Sequence, residues 1–301
     1  MAAIKTWVQA FRLRTLPLAF SCILMGGFLA IGQQVFNGTI LGLSLLTTLF
    51  LQVLSNLAND YGDSVSGVDS AERQGPSRTV QSGQISLAAM KRALIICGVL
   101  SLLSGLLLLV VAFRDAWYLA GIFLLIGLGA IWAAIRYTVG KTPYGYQGLG
   151  DLFVLIFFGL VGVCGSYFLY SQTFQWITIL PAISCGLFAV GVLNVNNIRD
   201  IESDTNAGKK SIPVRIGRQK ARVYHLLIIG IAWAAMITYS SVTWSGSWLQ
   251  GLYVLSLPLF IINVKAVFQQ EEAQKLDPFL KQLAISTLLF VLLFGIGQVL
   301  S

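Results

Sequence analysis

The apolar segment Ile40–Leu57, ILGLSLLTTLFLQVLSNL, is followed directly by the polar segment Ala58–Asp63, ANDYGD. The first part carries no charged residue and is about as long as a helix that crosses the hydrocarbon core of a bilayer. The polar side chains at positions 56, 59, 60 and 63 recur at helical spacing, so they share one face of a continuing helix. This pattern predicts a membrane-spanning helix that ends in an acidic face.

The composition excludes a soluble globular protein. Of the 301 residues, 56% are hydrophobic and 11% are charged, and the mean hydropathy is +0.78. Soluble domains carry about 25% charged residues. The other apolar runs are continuous rather than alternating, which excludes a transmembrane β-barrel. The fold class is therefore an all-α membrane protein.

Nine segments are apolar and long enough to span a bilayer, which predicts a nine-helix bundle in a single polytopic domain over residues 1–301. The predicted spans are approximately Leu16–Gly32, Ile40–Leu57, Ala93–Phe113, Trp117–Ile135, Leu152–Tyr170, Trp176–Val195, Tyr224–Val242, Trp248–Val267 and Leu283–Leu300.

The basic residues set the predicted orientation. With the N-terminus in the cytoplasm, every Lys and Arg except Arg114 falls in a cytoplasmic segment or beside one, as the positive-inside rule requires. Nine spans then place the C-terminus outside. These loops account for the net charge of +8, so the charge predicts no nucleic-acid binding. The four cysteines lie in apolar runs without a CxxC pair, which predicts neither a disulfide nor a zinc site.

A second acidic segment follows the sixth predicted span and reads Asn196-Asn-Ile-Arg-Asp200-Ile-Glu-Ser-Asp204. Positions 196, 200 and 204 are four apart, so they too share one helix face. Glycine and basic residues follow each acidic segment, which indicates an internal duplication with halves of about 1–136 and 137–301. The acidic residues of both halves are expected at the same cytoplasmic face.

The chemistry of this face follows from its charge. Carboxylates that meet at a membrane surface repel one another and need cations to hold them together. Oxygen ligands favour Mg²⁺, which binds carboxylates together with phosphate oxygens, and neighbouring Arg and Lys side chains would meet the remaining anionic oxygens. The sequence therefore predicts a site for a lipid diphosphate. The alternative is that both segments are ordinary solvated loops.

On these residues the sequence resembles the UbiA-type membrane prenyltransferases, a family with nine transmembrane helices and Asp-rich motifs after the second and sixth. Here the first motif is Asn59-Asp60-x-x-Asp63, and the second motif is Asp200-x-x-x-Asp204. The sequence departs from the family pattern at Gly67, where a further Asp is common. The resemblance implies that these five motif residues hold Mg²⁺, with two ions bridging the diphosphate.

Within the family, the sequence is most similar to the branch that prenylates 1,4-dihydroxy-2-naphthoate. The resemblance implies transfer of a polyprenyl group from a polyprenyl diphosphate to this acceptor, with loss of diphosphate and CO₂, to give demethylmenaquinol in menaquinone biosynthesis. It also implies the bacterial inner membrane, with the site facing the cytoplasm. The stretches that carry the similarity are Arg12–Pro17, Leu54–Asp63, Arg73–Arg78, Tyr137–Gly140, Pro143–Tyr146, Gly148–Asp151 and Asn196–Lys209.

Further candidate residues lie outside the two motifs. Asp151 stands alone at the start of the fifth span, where it would orient or deprotonate the acceptor, or alternatively cap the helix. The glycine pairs Gly127 with Gly129 and Gly159 with Gly162 are expected to let helices pack closely. The predicted substrate contacts are Asn56, Arg73, Arg78, Lys141, Arg199 and Lys209, with Tyr137 and Tyr144 in the acceptor pocket.

Three alternatives stay open at this point. A UbiA-type enzyme could use another aromatic acceptor, such as 4-hydroxybenzoate. A secondary transporter also combines internal repeats with buried acids, but its acids would lie near the bilayer midplane. A CDP-alcohol phosphotransferase is Asp-rich and Mg²⁺-dependent, but its acids lie in one segment rather than two.

Overall fold

The computed structural model describes residues 4–66 and 79–301. Over these residues the chain is helical without a strand, and nine helices are long and apolar enough to cross a membrane. Each predicted span lies within one of them, so the predicted fold class and number of spans are confirmed. Which side of the membrane each terminus faces stays a prediction. In chain order, α1 to α9 are Ile4–Gly32, Gly38–Val65, Leu87–Phe113, Trp117–Arg136, Gly150–Ser171, Trp176–Arg199, Arg218–Val242, Trp248–Gln269 and Ala273–Leu300.

Two helices continue by a full turn or more past the C-terminal ends that hydropathy assigned to them, and both extensions carry polar residues. The helix α2 runs to Val65 rather than Leu57, and α6 runs to Arg199 rather than Val195. Polar side chains end an apolar run, but they do not interrupt the backbone hydrogen bonds that define a helix. The first motif therefore lies inside α2, as its helical spacing predicted, and the second motif begins at the residue after α6.

The helix α1 is broken near its start. Arg12 has a φ of 48°, in the left-handed region that residues other than glycine rarely occupy, and it separates Ile4–Phe11 from the rest of the helix. The break leaves backbone acceptors without helical partners. The carbonyl of Phe11 accepts a hydrogen bond at 2.9 Å from Nδ2 of Asn56, which also lies 3.1 Å from Oγ1 of Thr15. Asn56 of α2 therefore ties down the broken start of α1.

The helices pack around two main apolar clusters. The larger cluster joins α1, the start of α2 and the end of α3 to α5–α9. It contains packed aromatic rings such as those of Phe188, Trp233 and Phe290. The smaller cluster joins the start of α1 to α2 and α3 through residues such as Leu57 and Met90. Because α1 packs mainly with helices of the second half of the chain, the two sequence halves are not separate packing units.

The helix α4 is packed far less than the others. Ala133 is its single buried residue. The helix packs mainly against α2 and α3, and Phe123 also stacks on Phe168 of α5. Large apolar side chains such as Leu125 are exposed on it, as expected for a helix that faces lipid. The helix therefore forms an outer wall of the bundle.

Glycines have different roles in α4 and α5. A Cβ at Gly159 of α5 would lie 2.6 Å from the carbonyl oxygen of Ala182 and 3.2 Å from Cα of Gly186, both in the backbone of α6. A Cβ at Gly127 or Gly129 of α4 would meet no atom within 4 Å. The prediction that these glycines pack helices together is confirmed for Gly159 and is wrong for Gly127 and Gly129.

We expect Gly159→Ala to destabilise the protein by about 1–3 kcal/mol, because the added methyl group meets backbone that cannot rotate away. The measurement is thermal unfolding in detergent, followed by tryptophan fluorescence. Gly129→Ala is the matched control and should be neutral or slightly stabilising, because alanine favours a helix over glycine. Equal midpoints for the two variants would contradict this account of the α5–α6 contact.

Candidate active site

A cavity of about 520 Å³ opens between helices α1 to α6 and the start of α9. At one end it is lined by Asn59 and Asp63 of the first motif and by Asp200 and Asp204 of the second motif. At the other end it is lined by apolar side chains such as those of Leu108, Phe123 and Leu169. The structure therefore brings two acidic segments that are far apart in the chain to one mouth of a largely apolar cavity.

The residues of the first motif face two directions: Asn59 and Asp63 line the cavity, and Asp60 contacts the loop that precedes α3. Asp63 lines the cavity and accepts a hydrogen bond from the hydroxyl of Tyr146. Asn59 also lines it, and its Oδ1 accepts a hydrogen bond at 3.3 Å from Oγ1 of Thr138. The carboxylate of Asp60 is 1% exposed and does not line the cavity. Its Oδ2 accepts hydrogen bonds from the hydroxyl of Thr79 at 2.6 Å and from the backbone N–H of the same residue at 3.3 Å.

These contacts turn Asp60 away from the cavity, although the resemblance grouped it with the metal ligands; that role stays a prediction. One of its oxygens is held by Thr79, and Oδ1 is buried without a hydrogen-bond partner among the described residues. Asp60 and Asp63 share one side of α2 but are offset by about 60° around its axis, so one carboxylate can meet Thr79 while the other faces the cavity. Asp63 rather than Asp60 is the first-motif carboxylate that faces the cavity.

The second motif keeps the predicted helical spacing although α6 ends at Arg199, directly before it. The backbone N–H of Asp200 donates to the carbonyl of Asn196 at 3.1 Å, and that of Asp204 donates to the carbonyl of Asp200 at 2.8 Å. Both carboxylates are buried and line the cavity. Burial raises the pKa of Asp204; the ammonium of Lys209 opposes this rise, and the negative charge of Asp200 adds to it. Lys209 therefore favours the ionised form of Asp204.

Lys209 supplies one such cation, at the place where the motifs meet. Its Nζ lies 3.2 Å from Oδ1 of Asp204 and 4.0 Å from Oδ1 of Asp63. It also lies 4.8 Å from the ring centre of Tyr146, within the range of a cation–π interaction. A single positive charge therefore bridges the two motifs, and Lys209 lines the cavity as predicted for a substrate contact.

The donor atoms at this mouth fit Mg²⁺. The motif residues that line the cavity offer only carboxylate and amide oxygens, which are the ligands that Mg²⁺ prefers. Among residues 4–66 and 79–301, no three His, Cys, Asp or Glu side chains converge closely enough to enclose an ion. An incomplete protein shell is what Mg²⁺ uses when phosphate oxygens and water fill the remaining positions.

Arg199 does not occupy the predicted place of a diphosphate contact. It does not line the cavity, and its guanidinium donates to both carboxylate oxygens of Asp200 at 2.8 and 2.7 Å and to Asp277 at 2.5 Å. A guanidinium matches a carboxylate in this two-pronged geometry. The expectation failed because the sequence does not reveal that a carboxylate from α9 lies beside the end of α6.

The other predicted basic contacts are not at the cavity either. Lys141 is exposed and does not line it. Arg73 and Arg78 lie outside the described residues. Arg215, another basic residue of the second half, donates to the carbonyl oxygens of Gln147 and Lys210. It therefore joins the loop before α5 to the loop before α7 instead of facing a ligand.

Aromatic side chains form one wall of the cavity near the acidic mouth. Tyr137 and Tyr144 both line it, as predicted, together with Phe153. The ring of Tyr144 stacks on Phe153 with centres 3.9 Å apart and meets Tyr137 edge-on at 5.4 Å. Burial, and then the negative charge of Asp151, raise the pKa of Tyr137. The wall is therefore a neutral surface on which a planar aromatic molecule can stack.

Asp151 stands behind this wall. It is buried, it does not line the cavity, and its Oδ2 accepts a hydrogen bond at 2.8 Å from the hydroxyl of Tyr224. It is the second residue of α5, and the residue that caps the helix is Leu149, which makes no side-chain capping bond. The structure therefore supports neither direct contact of Asp151 with a ligand in the cavity nor the capping alternative.

Asn56 lines the cavity, but its amide nitrogen is already used. It donates to Phe11 and lies within hydrogen-bond distance of Thr15 in the broken segment of α1. Its contact with a substrate is therefore limited to Oδ1, which accepts a long hydrogen bond of 3.5 Å from Gln52. The helical spacing correctly placed Asn56 on the polar face of α2, but it did not show that the neighbour on that face is α1.

Sequence reasoning indicated Tyr146 as a third tyrosine of the acceptor pocket, and it lines the cavity. Its hydroxyl bonds Asp63 and its ring lies under Lys209, two contacts that the sequence did not show. Two other residues near the mouth were missed. Asn197 is buried, lines the cavity, and makes no hydrogen bond from its side chain to the described residues. Its signal was its place beside Asn196. Asp277 had no signal, because it lies in a segment without any recognisable motif.

Comparison with known proteins gives a consistent result. The sequence matches the UbiA prenyltransferase family over residues 19–294. It is 45% identical to the 1,4-dihydroxy-2-naphthoate octaprenyltransferase of Haemophilus influenzae, over 98% of this chain and 96% of that protein. It is 44% identical to the enzyme of the same name from Escherichia coli, over 99% of this chain and 96% of that protein.

Solved structures agree on the fold. A UbiA homolog from Aeropyrum pernix superposes with a TM-score of 0.69 at 18% identity, covering 100% of this chain and 99% of that one. A UbiA homolog from Archaeoglobus fulgidus, solved with GPP and Mg²⁺, superposes with a TM-score of 0.66 at 18% identity, covering 97% and 100%. With the nine apolar helices, these matches identify a multi-pass membrane protein.

We expect Lys209→Gln to bind a divalent cation more tightly than the wild type in the absence of substrate, by about fivefold. The reason is that its ammonium neutralises the carboxylates that a metal would use, and an ion pair of this kind contributes about 1 kcal/mol. The measurement is Mn²⁺ binding to detergent-solubilised protein, followed by electron paramagnetic resonance.

Lys210→Gln is the matched control, because the neighbouring side chain carries the same charge but does not line the cavity. Its Mn²⁺ affinity should stay close to that of the wild type. If both variants gained affinity equally, the effect would be one of general surface charge and not of the bridging position.

Proposed function

The chain belongs to the UbiA prenyltransferase family, and on that premise we propose that it transfers a polyprenyl group from a polyprenyl diphosphate to 1,4-dihydroxy-2-naphthoate. Diphosphate and CO₂ are lost, and the product is demethylmenaquinol for menaquinone biosynthesis. The observation that carries the proposal is the single cavity that joins the two acidic motifs to an apolar interior and an aromatic wall. The two relatives above, which match over nearly the whole chain, support the choice of acceptor.

The acidic mouth would bind the diphosphate. Asn59 and Asp63 from α2 and Asp200 and Asp204 from the second motif would hold Mg²⁺, and we propose two ions, one for each motif. Bound Mg²⁺ supplies the positive charge that stabilises a departing diphosphate. Lys209 already lies between the motifs, and its three N–H donors are placed to meet a further diphosphate oxygen.

The apolar part of the cavity would hold the prenyl chain. Its walls come from α3, α4 and α5, and burial of an isoprenoid against such walls is favourable by the hydrophobic effect. On the α4 side, the space next to Gly127 is open. Since α4 has few contacts with the rest of the bundle, a chain longer than the cavity would continue past it into lipid.

The aromatic wall of Tyr137, Tyr144 and Phe153 would position the acceptor ring. Arg12 and Arg14 line the same cavity and would attract the carboxylate of the naphthoate. Electron-rich rings close to the cavity would also favour the positive charge that develops on the allylic carbon when the C–O bond breaks.

Asp151 does not line the cavity, and the balance of electrons and protons in this reaction shows that no base is needed there. The C–O bond of the prenyl diphosphate breaks and its electron pair leaves with the diphosphate, while a π pair of the ring forms the new C–C bond. The C–C bond to the carboxylate then breaks, and its pair stays in the ring as CO₂ departs. No proton is released overall, so the reaction needs no dedicated base facing the cavity. Among the described residues, the Asp and Glu side chains that line the cavity all belong to the two motifs.

The proposed location is the bacterial inner membrane, with the acidic mouth facing the cytoplasm. The support for this orientation is the distribution of Lys and Arg in the sequence, which matches the positive-inside rule. Soluble 1,4-dihydroxy-2-naphthoate would then reach the mouth directly from the cytoplasm.

The test is an assay of purified protein in detergent with Mg²⁺, a long-chain prenyl diphosphate, and either dihydroxynaphthoate or 4-hydroxybenzoate. We expect prenylated naphthoquinol and CO₂ with the first acceptor, no product after EDTA, and a loss of about a hundredfold or more in Asp63→Asn, because a carboxylate that would hold Mg²⁺ at the departing diphosphate is removed. Glu202→Gln is the matched control, since this exposed acid lies between Asp200 and Asp204 but outside the cavity.

Product with 4-hydroxybenzoate alone would keep the family reaction and overturn the acceptor. No product with either acceptor from folded protein would overturn the proposed function. Full activity of Asp63→Asn would leave the reaction in place but remove this carboxylate from it.

The open space at Gly127 generates a separate prediction about the prenyl chain. Gly127→Phe should fit without displacing backbone, yet it should fill part of the cavity and change the relative kcat/KM for geranyl and octaprenyl diphosphates by about tenfold. Gly121→Phe is the control, because this glycine of α4 is also unobstructed but does not line the cavity. An unchanged ratio in Gly127→Phe would show that the chain does not pass this point.

A further inference from the structure

A chain of ion pairs runs from the second motif to the last helix. The guanidinium of Arg199 binds Asp200 through two hydrogen bonds, at 2.8 and 2.7 Å, and binds Asp277 through a third, at 2.5 Å. A fourth, at 2.9 Å, goes to Oδ1 of Asn196. Arg199 and Asp200 are 3% and 4% exposed, so the pair at the centre of this chain is shielded from water.

The outer member of the chain comes from a part of the protein without a motif. Asp277 lies in the first turns of α9, and its second oxygen accepts a hydrogen bond at 3.2 Å from Arg14 of α1. Arg14 itself lines the cavity. Asp277 therefore joins three elements that reach the site from distant parts of the sequence.

Asp200 can bind Arg199 and a metal at the same time. Each carboxylate oxygen accepts one bond from the guanidinium and keeps further lone-pair capacity, and Asp200 lines the cavity. The two-pronged contact fixes the plane of the carboxylate, because both oxygens are held by one rigid group. Groups that hold a ligand in this way typically change metal affinity by about 10- to 100-fold.

The charge of Asp277 matters as well as its hydrogen bond. If Arg199 were paired with Asp200 alone, it would neutralise the Asp200 carboxylate and weaken the attraction of that carboxylate for a divalent cation. Because Asp277 shares the same guanidinium, part of the positive charge is balanced from the other side, and Asp200 keeps more of its negative charge.

We infer that Asp277 is a positioning residue for the metal site: through Arg199 it orients Asp200 and preserves its charge. This inference rests on the proposed Mg²⁺-dependent prenyl transfer, since it deepens the account of the same site. It assigns a functional residue to the start of α9.

The test measures Mn²⁺ binding to detergent-solubilised full-length protein without substrates, and in parallel the Mg²⁺ concentration that gives half-maximal turnover. In Asp277→Asn, we expect Mn²⁺ affinity to fall about tenfold and the half-maximal Mg²⁺ concentration to rise by a similar factor. Asp277→Glu should restore most of the affinity, because it keeps the charge. Arg199→Lys should weaken binding despite its charge, because an ammonium cannot hold both oxygens in one plane.

Glu271→Gln is the matched control. Glu271 lies in the connection between α8 and α9 and forms an ion pair at 3.2 Å with Arg222, another buried arginine. Neither residue lines the cavity. Its Mn²⁺ affinity should stay within about twofold of the wild type, since substitutions away from such sites change energies little. Thermal unfolding of each variant separates loss of metal affinity from loss of structure.

Lower thermal stability of Asp277→Asn with unchanged Mn²⁺ affinity would overturn the inference and leave a purely structural tie. Equal loss of affinity in Glu271→Gln would overturn it too. Failure of the proposed function looks different, because wild-type protein would then bind Mn²⁺ but form no prenylated product with either acceptor.

Discussion

The rest of the site depends on one electrostatic constraint: buried carboxylates from two distant segments are held close together at the mouth of an apolar cavity. Like charges in such a place repel strongly, because little water is present to screen them. The protein answers with cations placed at defined points, Lys209 between the motifs and Arg199 behind Asp200. The same constraint creates a demand for further positive charge, which a divalent cation with its diphosphate would satisfy.

The sequence was informative where a physical rule is local. Continuous apolar runs gave all nine helices, and four-residue spacing correctly kept Asp200 and Asp204 on one face. It was uninformative where the deciding partner is remote in the chain. Thr79 donates a hydrogen bond to one oxygen of Asp60, and Tyr224 donates one to Asp151. Asp277 forms an ion pair with Arg199. A side chain's residue type predicts what it can bind, but only the fold decides which of several possible partners it meets.

The buried tyrosines and Asp151 illustrate how a polar group can matter without touching a ligand. Asp151 lies behind Tyr137, and its negative charge makes ionisation of that phenol harder. The wall facing the acceptor therefore keeps its protons and stays uncharged. In a cavity where a carbocation develops, an uncharged π surface stabilises the intermediate without offering a nucleophile that would capture it.

The sparse packing of α4 has a consequence for where the enzyme ends and its surroundings begin. With Ala133 as its one buried residue, this helix gains little of its free energy from protein contacts. Exposed Trp117 and Tyr118 at its start are suited to the headgroup layer. We therefore expect lateral pressure and acyl-chain order in the bilayer to affect the position of this wall of the cavity. The surrounding lipid would then contribute to the shape of the active site.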